Sequence, residues 1–215
     1  MSNIAGKAYA MNVVTPSNPR LTWANRLLFM VARGWPERLF GLLGLSLIHF
    51  ARWVIIKPED WPDLGQGKQT LKSDYMLFCS NFNGTWDQYI DAFSDGIPNG
   101  LNLFWFSATK YPLSIPITPF KTYITHNQIN TDYYYNATPG AAQRDIKTSL
   151  KMYDALLRLE AAHKIQSPEE FAKTYQAMLC EVQIGFGDAG FGPVASLSTE
   201  RADIYRANYF SVHKD

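Results

Sequence analysis

His49 and Arg52 lie three residues apart in SLIHFARWVII, residues 46–56, and are the side chains here best suited to chemistry. An imidazole exchanges protons or ligates a metal near neutral pH, and a guanidinium grips carboxylates and phosphates in two-pronged fashion. The run is otherwise apolar and ends in β-branched residues, as in a strand covered on both faces. Polar side chains in such a strand need partners, because unpaired ones cost roughly 2–7 kcal/mol. Alternation puts His49, Ala51, Trp53 and Ile55 on one face and Phe50, Arg52, Val54 and Ile56 on the other. The two share a site only if a bulge intervenes. His49 is then expected as a hydrogen-bond donor or axial ligand, Arg52 as an anion partner and Asp91 as the third catalytic candidate. The structural alternative is a satisfied core histidine, with Arg52 paired to Asp91.

Asn81 opens the strand-to-helix turn Asn81-Phe82-Asn83-Gly84-Thr85-Trp86-Asp87, whose backbone N–H groups point where an anion can sit. The Gly-Lys-Ser/Thr of a phosphate loop is missing, and Asn-Gly is by itself a turn signal. His126 and His163 are candidate haem or metal ligands. Haem asks for one axial imidazole and an apolar pocket, for which Leu103-Phe104-Trp105-Phe106 offers lining. Asn81, Trp105 and His126 are therefore the cofactor-side candidates. No pair of histidines or carboxylates has zinc-like spacing, so no metal site is expected. His163 is equally a cation at a helix C-terminus. Gly185-Phe186-Gly187-Asp188-Ala189-Gly190 echoes a dinucleotide fingerprint but lacks its strand–turn–helix setting. No serine has the setting of a nucleophile elbow.

A chain of 215 residues is expected to form one domain, with or without an appendage. Charged residues make up 18% against 14% aromatic, so a core, pocket or interface rich in rings is expected. A net charge of +1, with no lysine or arginine run, excludes a long-range field for nucleic acid. Cys79 and Cys180, both in apolar surroundings, read as buried thiols in a reducing compartment. No secretory leader is visible, and the longest uncharged apolar run, residues 39–51, is too short for the roughly 20 residues of a spanning helix. The expected setting is the cytoplasm, with peripheral membrane contact through residues 23–45 as a minority reading.

The positioning elements follow from periodicity. Residues 7–15 form a strand ended by Pro16. Residues 21–34 form a helix with Trp23, Leu27, Met30 and Val31 on its apolar face, and Pro36 starts a short second helix to about residue 43. Strands at 46–56 and 74–82 follow, then a capped helix at 86–94. Residues 98–119 read as a loop with short helical pieces, 120–128 as a short helix and 131–137, TDYYYNA, as an aromatic strand. Helices at 143–164, with Ile146, Leu150, Tyr153 and Leu157 on one stripe, and at 168–182 precede an irregular tail. The fold class is α+β: a ferredoxin-like βαββαβ antiparallel sheet of the dimeric α/β-barrel type with extra C-terminal helices. Residues 1–165 make this domain, with an aromatic, proline-rich insertion at about 97–130, and 166–215 are a C-terminal helix and tail. The second sheet face is apolar and calls for a cover: the C-terminal helices, a second subunit or a ligand.

His49-Phe50-Ala51-Arg52-Trp53-Val54, then LFCSNFNGTW at 77–86 and YIDAF at 89–93, resembles an uncharacterised bacterial family with an HFARW strand and a Ser-Asn-aromatic-Asp-Gly turn. Asn83 here replaces the aspartate, and Ala92 separates Asp91 from Phe93. The likeness covers residues 8–157. More broadly the chain is similar to dimeric α/β-barrel proteins, distantly to dye-decolorising peroxidases, whose Gly-x-x-Asp-Gly signature is missing. This likeness is one of fold. The expected function is binding of a small apolar molecule or haem, with peroxidase- or monooxygenase-like oxidoreductase chemistry. The alternatives are a non-catalytic dimerisation or docking module and a lipid-surface accessory protein. A homodimer is expected, and whether the chain is an enzyme stays open.

Overall fold

The apolar run Tyr75-Met76-Leu77-Phe78, with Phe82 closing it, makes Asp74–Phe82 a strand to which two long neighbours attach. The computed structural model describes residues 3–34, 47–67 and 70–183. Its strands are β1 (Ile4–Ala5), β2 (Ala8–Ser17), β3 (Ile48–Ile56), β4 (Asp74–Phe82) and β5 (Gln128–Ile129). The sheet is antiparallel in the order β1-β2-β4-β3, and β5 pairs with β2 at Asn12 and Val13, on the edge away from β4. Pro16 lies within β2 rather than ending it, tolerated near the strand's end where one lost N–H breaks little of the ladder.

Six helices are described: α1 (Thr22–Gly34), α2 (Trp86–Gly96), α3 (Pro98–Trp105), α4 (Ile117–Asn127), α5 (Gln143–His163) and α6 (Pro168–Val182). Thr85 caps α2 by accepting from the Gln88 N–H, and the Gln88 side chain accepts from the Thr85 N–H. The core lies on one sheet face: Tyr9, Met11 and Val13 of β2 and Met76, Phe78 and Phe82 of β4 meet the aromatic sides of α2, α3 and α4. Tyr89 stacks on Phe82 at 3.7 Å between centroids, and Trp53 packs between Phe78 and Phe104 at 4.6 and 4.7 Å.

Four expectations change. Residues 131–137 are not a strand, because their polar groups are committed elsewhere: the Thr131 N–H donates to Asn3 and the Asn136 amide to the Ala5 carbonyl. Ring content signals a half-buried surface, whereas Tyr133 and Tyr135 are 82% and 72% exposed. The stretch 98–119 has a short helical piece as expected, at Pro98–Trp105, but the helix expected from residue 120 begins earlier, at Ile117. Cys180 is exposed on α6, while Cys79 is buried as expected. Finally, α1 turns its large apolar stripe outward, with Trp23 68% and Met30 65% exposed and Leu27 and Val31 beside them. Its inward face is Thr22, Asn25, Phe29 and Ala32, because partners wait there: the Thr22 hydroxyl donates to buried Asp74, the Asn25 amide to the Phe104 carbonyl, and Phe29 stacks on Phe104. The short helix expected after Pro36 and the glycine-rich tail lie outside the described residues.

Helices α5 and α6 pack on each other through Ala155, Met178 and Val182. The expected stripe of α5 is in place but open to solvent, Leu150 and Tyr153 being 62% and 61% exposed. Among the described residues no helix is long and apolar enough to cross a membrane.

Candidate functional site

The register places a β-bulge at His49: Ile48 pairs with Phe82 and Phe50 with the next residue, Asn81, so His49 is the extra residue. His49 thus drops out of the alternation assumed for it, while Phe50, Arg52 and Val54 keep theirs. These three line the sheet face away from the core, with Phe50 54% and Val54 42% exposed. The His49 imidazole sits beside the Asn83 side chain, and its Nε2 is buried with no hydrogen-bond partner among the described residues. Burial lowers its pKa below the usual 6.5, the Asn83 contact opposing this in part. Asn83 also donates to the Lys7 carbonyl and accepts the Gln143 N–H.

Arg52 is exposed and has no carboxylate partner among the described residues. Asp91 is not its partner: Lys121 holds Asp91 at 2.7 Å and Asp87 at 3.1 Å, which overturns the Arg52 and Asp91 pairing. Asn81 faces the same side of the sheet as Arg52, and its amide donates to the Tyr134 hydroxyl. Trp105 is 1% exposed, in the core against Phe78 and Trp53. His126 lies on α4, exposed, its Nδ1 2.8 Å from the Thr122 carbonyl of its own helix. Arg52 and Asn81 therefore share the open sheet face, His49 sits at the bulge beside Asn83, and Asp91, Trp105 and His126 do not join them. Among the described residues no group of three His, Cys, Asp or Glu side chains could hold a metal ion.

A second surface combines apolar exposure with charge. Trp23, Leu27, Met30 and Val31 project from α1, with exposed Arg26 and Arg33 to one side. Residues 20–57 carry six cationic side chains against the single acid Glu37, a local net charge of +5 in a chain totalling +1. That asymmetry is legible in the sequence. It goes unnoticed when charge is summed over the whole chain, where the other residues contribute −4.

Compared with protein-family models, curated proteins and solved structures, the chain matches none.

Proposed function

We propose that this protein associates peripherally with an anionic membrane surface, lying on it through α1. The carrying observation is the outward apolar face of that helix, Trp23 and Met30 above all, beside Arg26 and Arg33 in the one strongly cationic stretch of the chain. A helix that buries Trp, Leu and Met at the headgroup level while its arginines meet lipid phosphates is an interfacial anchor. Each cationic side chain near an anionic leaflet adds about 1 kcal/mol, and salt screens it. The test is co-sedimentation with phosphatidylglycerol vesicles at low and high salt. Wild type is expected in the pellet at low salt, and Met30→Glu in the supernatant. Wild type remaining in the supernatant at low salt removes the reading.

The open sheet face supports a second reading. Exposed Phe50 and Val54, with Arg52 and the His49 Nε2 lacking partners among the described residues, suit closure by a second copy around a small apolar ligand or haem, with oxidoreductase chemistry at His49. The fold we infer beneath it is ferredoxin-like, of the dimeric α/β-barrel type. The all-antiparallel order β5-β2-β4-β3 and the helix joining β2 to β3 support this. Light scattering that gives a monomer, and no Soret band on haem addition, would count against it.

A further inference from the structure

Beside the outward face of α1 opens a cleft of about 460 Å³, within the roughly 300–1,000 Å³ usual for small-ligand sites. Its walls include Trp23 and Arg26 of α1, Lys57 and Glu59 after β3, and Asp74 at the start of β4. Trp23 belongs to both the cleft and the exposed apolar stripe, so the cleft opens where α1 would meet lipid. We infer that this cleft binds the zwitterionic head of a phospholipid, phosphate against Arg26 and Lys57 and ammonium against Trp23, Glu59 and Asp74. This rests on the membrane-surface reading and names the lipid class it selects.

The cleft lining matches such a head in charge. Two cations and two carboxylates line the cleft. A purely anionic head would meet Glu59 and Asp74, and a purely cationic ligand would meet Arg26 and Lys57. A phosphoethanolamine or phosphocholine head carries both signs and no net charge. Arg26 has no carboxylate partner among the described residues, so its planar donors are open to phosphate oxygens. Lys57 is held by Glu59 at 3.1 Å, which keeps cation and carboxylate side by side. Asp74 is 4% exposed and anchored by the Thr22 hydroxyl, with lone pairs left for a second donor. An indole face attracts an ammonium group directly.

The test uses the full chain and two kinds of probe. Glycerophosphoethanolamine, a soluble headgroup without acyl chains, and inorganic phosphate are titrated separately by calorimetry. Vesicles of phosphatidylglycerol alone are compared with vesicles diluted by phosphatidylethanolamine. Dilution lowers the surface charge and by plain electrostatics weakens binding; recognition of the zwitterion reverses that sign. Wild type is expected to bind the diluted vesicles more tightly and to bind glycerophosphoethanolamine. Arg26→Gln is expected to lose at least about tenfold toward both, while on pure phosphatidylglycerol it loses only the about fivefold that one surface cation contributes. Arg26→Lys, which keeps the charge, is expected to recover most of the loss. Weaker binding on dilution, or inorganic phosphate binding as tightly as the zwitterion, overturns the assignment while the surface reading stands. Glycerophosphoethanolamine binding that depends on Arg26, without any vesicle binding, sinks the surface reading and leaves the cleft chemistry in place.

Discussion

Lys7 Nζ stands 3.1 Å from Asp145 Oδ2, joining the turn before β2 to the first turn of α5 across 138 residues of sequence. Both are largely covered, at 8% and 17% side-chain exposure. Removing one member strands the other, which for a fully buried pair costs about 3–5 kcal/mol. With Asp145 still touching water, Asp145→Asn is expected to cost about 2 kcal/mol, read as a lowered urea midpoint. The Ala142 N–H and then Lys7 hold the Asp145 carboxyl below its usual 3.8. Folded Asp145 therefore resists protonation more than unfolded Asp145. Its contribution is complete above the unfolded value and is lost as pH falls through the lower folded one. The gap between wild type and Asp145→Asn should narrow as pH falls below 3.8 and close once pH is below the folded value.

His49 behaves in the opposite sense to a salt-bridged histidine. Its folded pKa lies below 6.5, so the unfolded chain takes up the proton first and stability drops as pH falls from 6.5 toward the folded value. His49→Gln, with no titration, should show a flatter urea midpoint over that window. An NMR titration placing the His49 ring at or above 6.5 would refute this.

Tyr89 is 2% exposed, and its hydroxyl lies 2.6 Å from Ser80 Oγ inside the core. Burial pushes its pKa far above the usual 10, with Ser80 opposing. Tyr89→Phe leaves the Ser80 hydroxyl without this partner and is expected to cost about 1–3 kcal/mol. Phe82→Ala, which removes the ring stacked on Tyr89, should cost about 3–5 kcal/mol. Equal losses for the two would show that the hydrogen bond holds α2 on the sheet as strongly as the stack does.

Gly6 has φ +63°, and a Cβ built there would lie 2.1 Å from the Pro139 carbonyl oxygen. The hairpin from β1 to β2 turns on Gly6 and Lys7, with glycine at the first central position where a type II′ turn needs it. Gly6→Ala is therefore expected to lower the melting temperature by more than Asp145→Asn does. Gly34→Ala, where a Cβ meets nothing within 4 Å, serves as the neutral control.

The long strands, α2, α5 and α6 were legible because their signals are local: a run apolar on both faces over 74–82, a Thr85 cap with Gln88, a proline opening α6. What escaped depends on partners far along the chain. Trp23 and Met30 spell an apolar stripe, but periodicity does not say whether a stripe meets a core or water. Thr22 and Asn25 point inward because of Asp74 and Phe104, 52 and 79 residues away. The bulge at His49 is a register event between β3 and β4, invisible in either strand alone. It brings His49 beside Asn83, while the expected partner of Arg52, Asp91, is taken by Lys121.

The hairpin at residues 4–9 has a consequence for how the chain is made. Asn3 bonds Asn130 and the Thr131 N–H, the Ala5 carbonyl accepts from Asn136, and the Lys7 N–H donates to the Pro139 carbonyl. Strand β2 has only the two-residue β1 beside it at first, and finds its long neighbour at residue 74 and β5 at residue 128. An apolar strand thus leaves the ribosome with one edge vacant until residues 74–82 follow, and with its β5 pairing unmade until more than half the chain has been synthesised. Such late-closing contacts slow folding and leave the nascent chain open to aggregation. Appending residues 3–17 to the other end by circular permutation is expected to speed refolding, by letting β2 emerge after both of its neighbours.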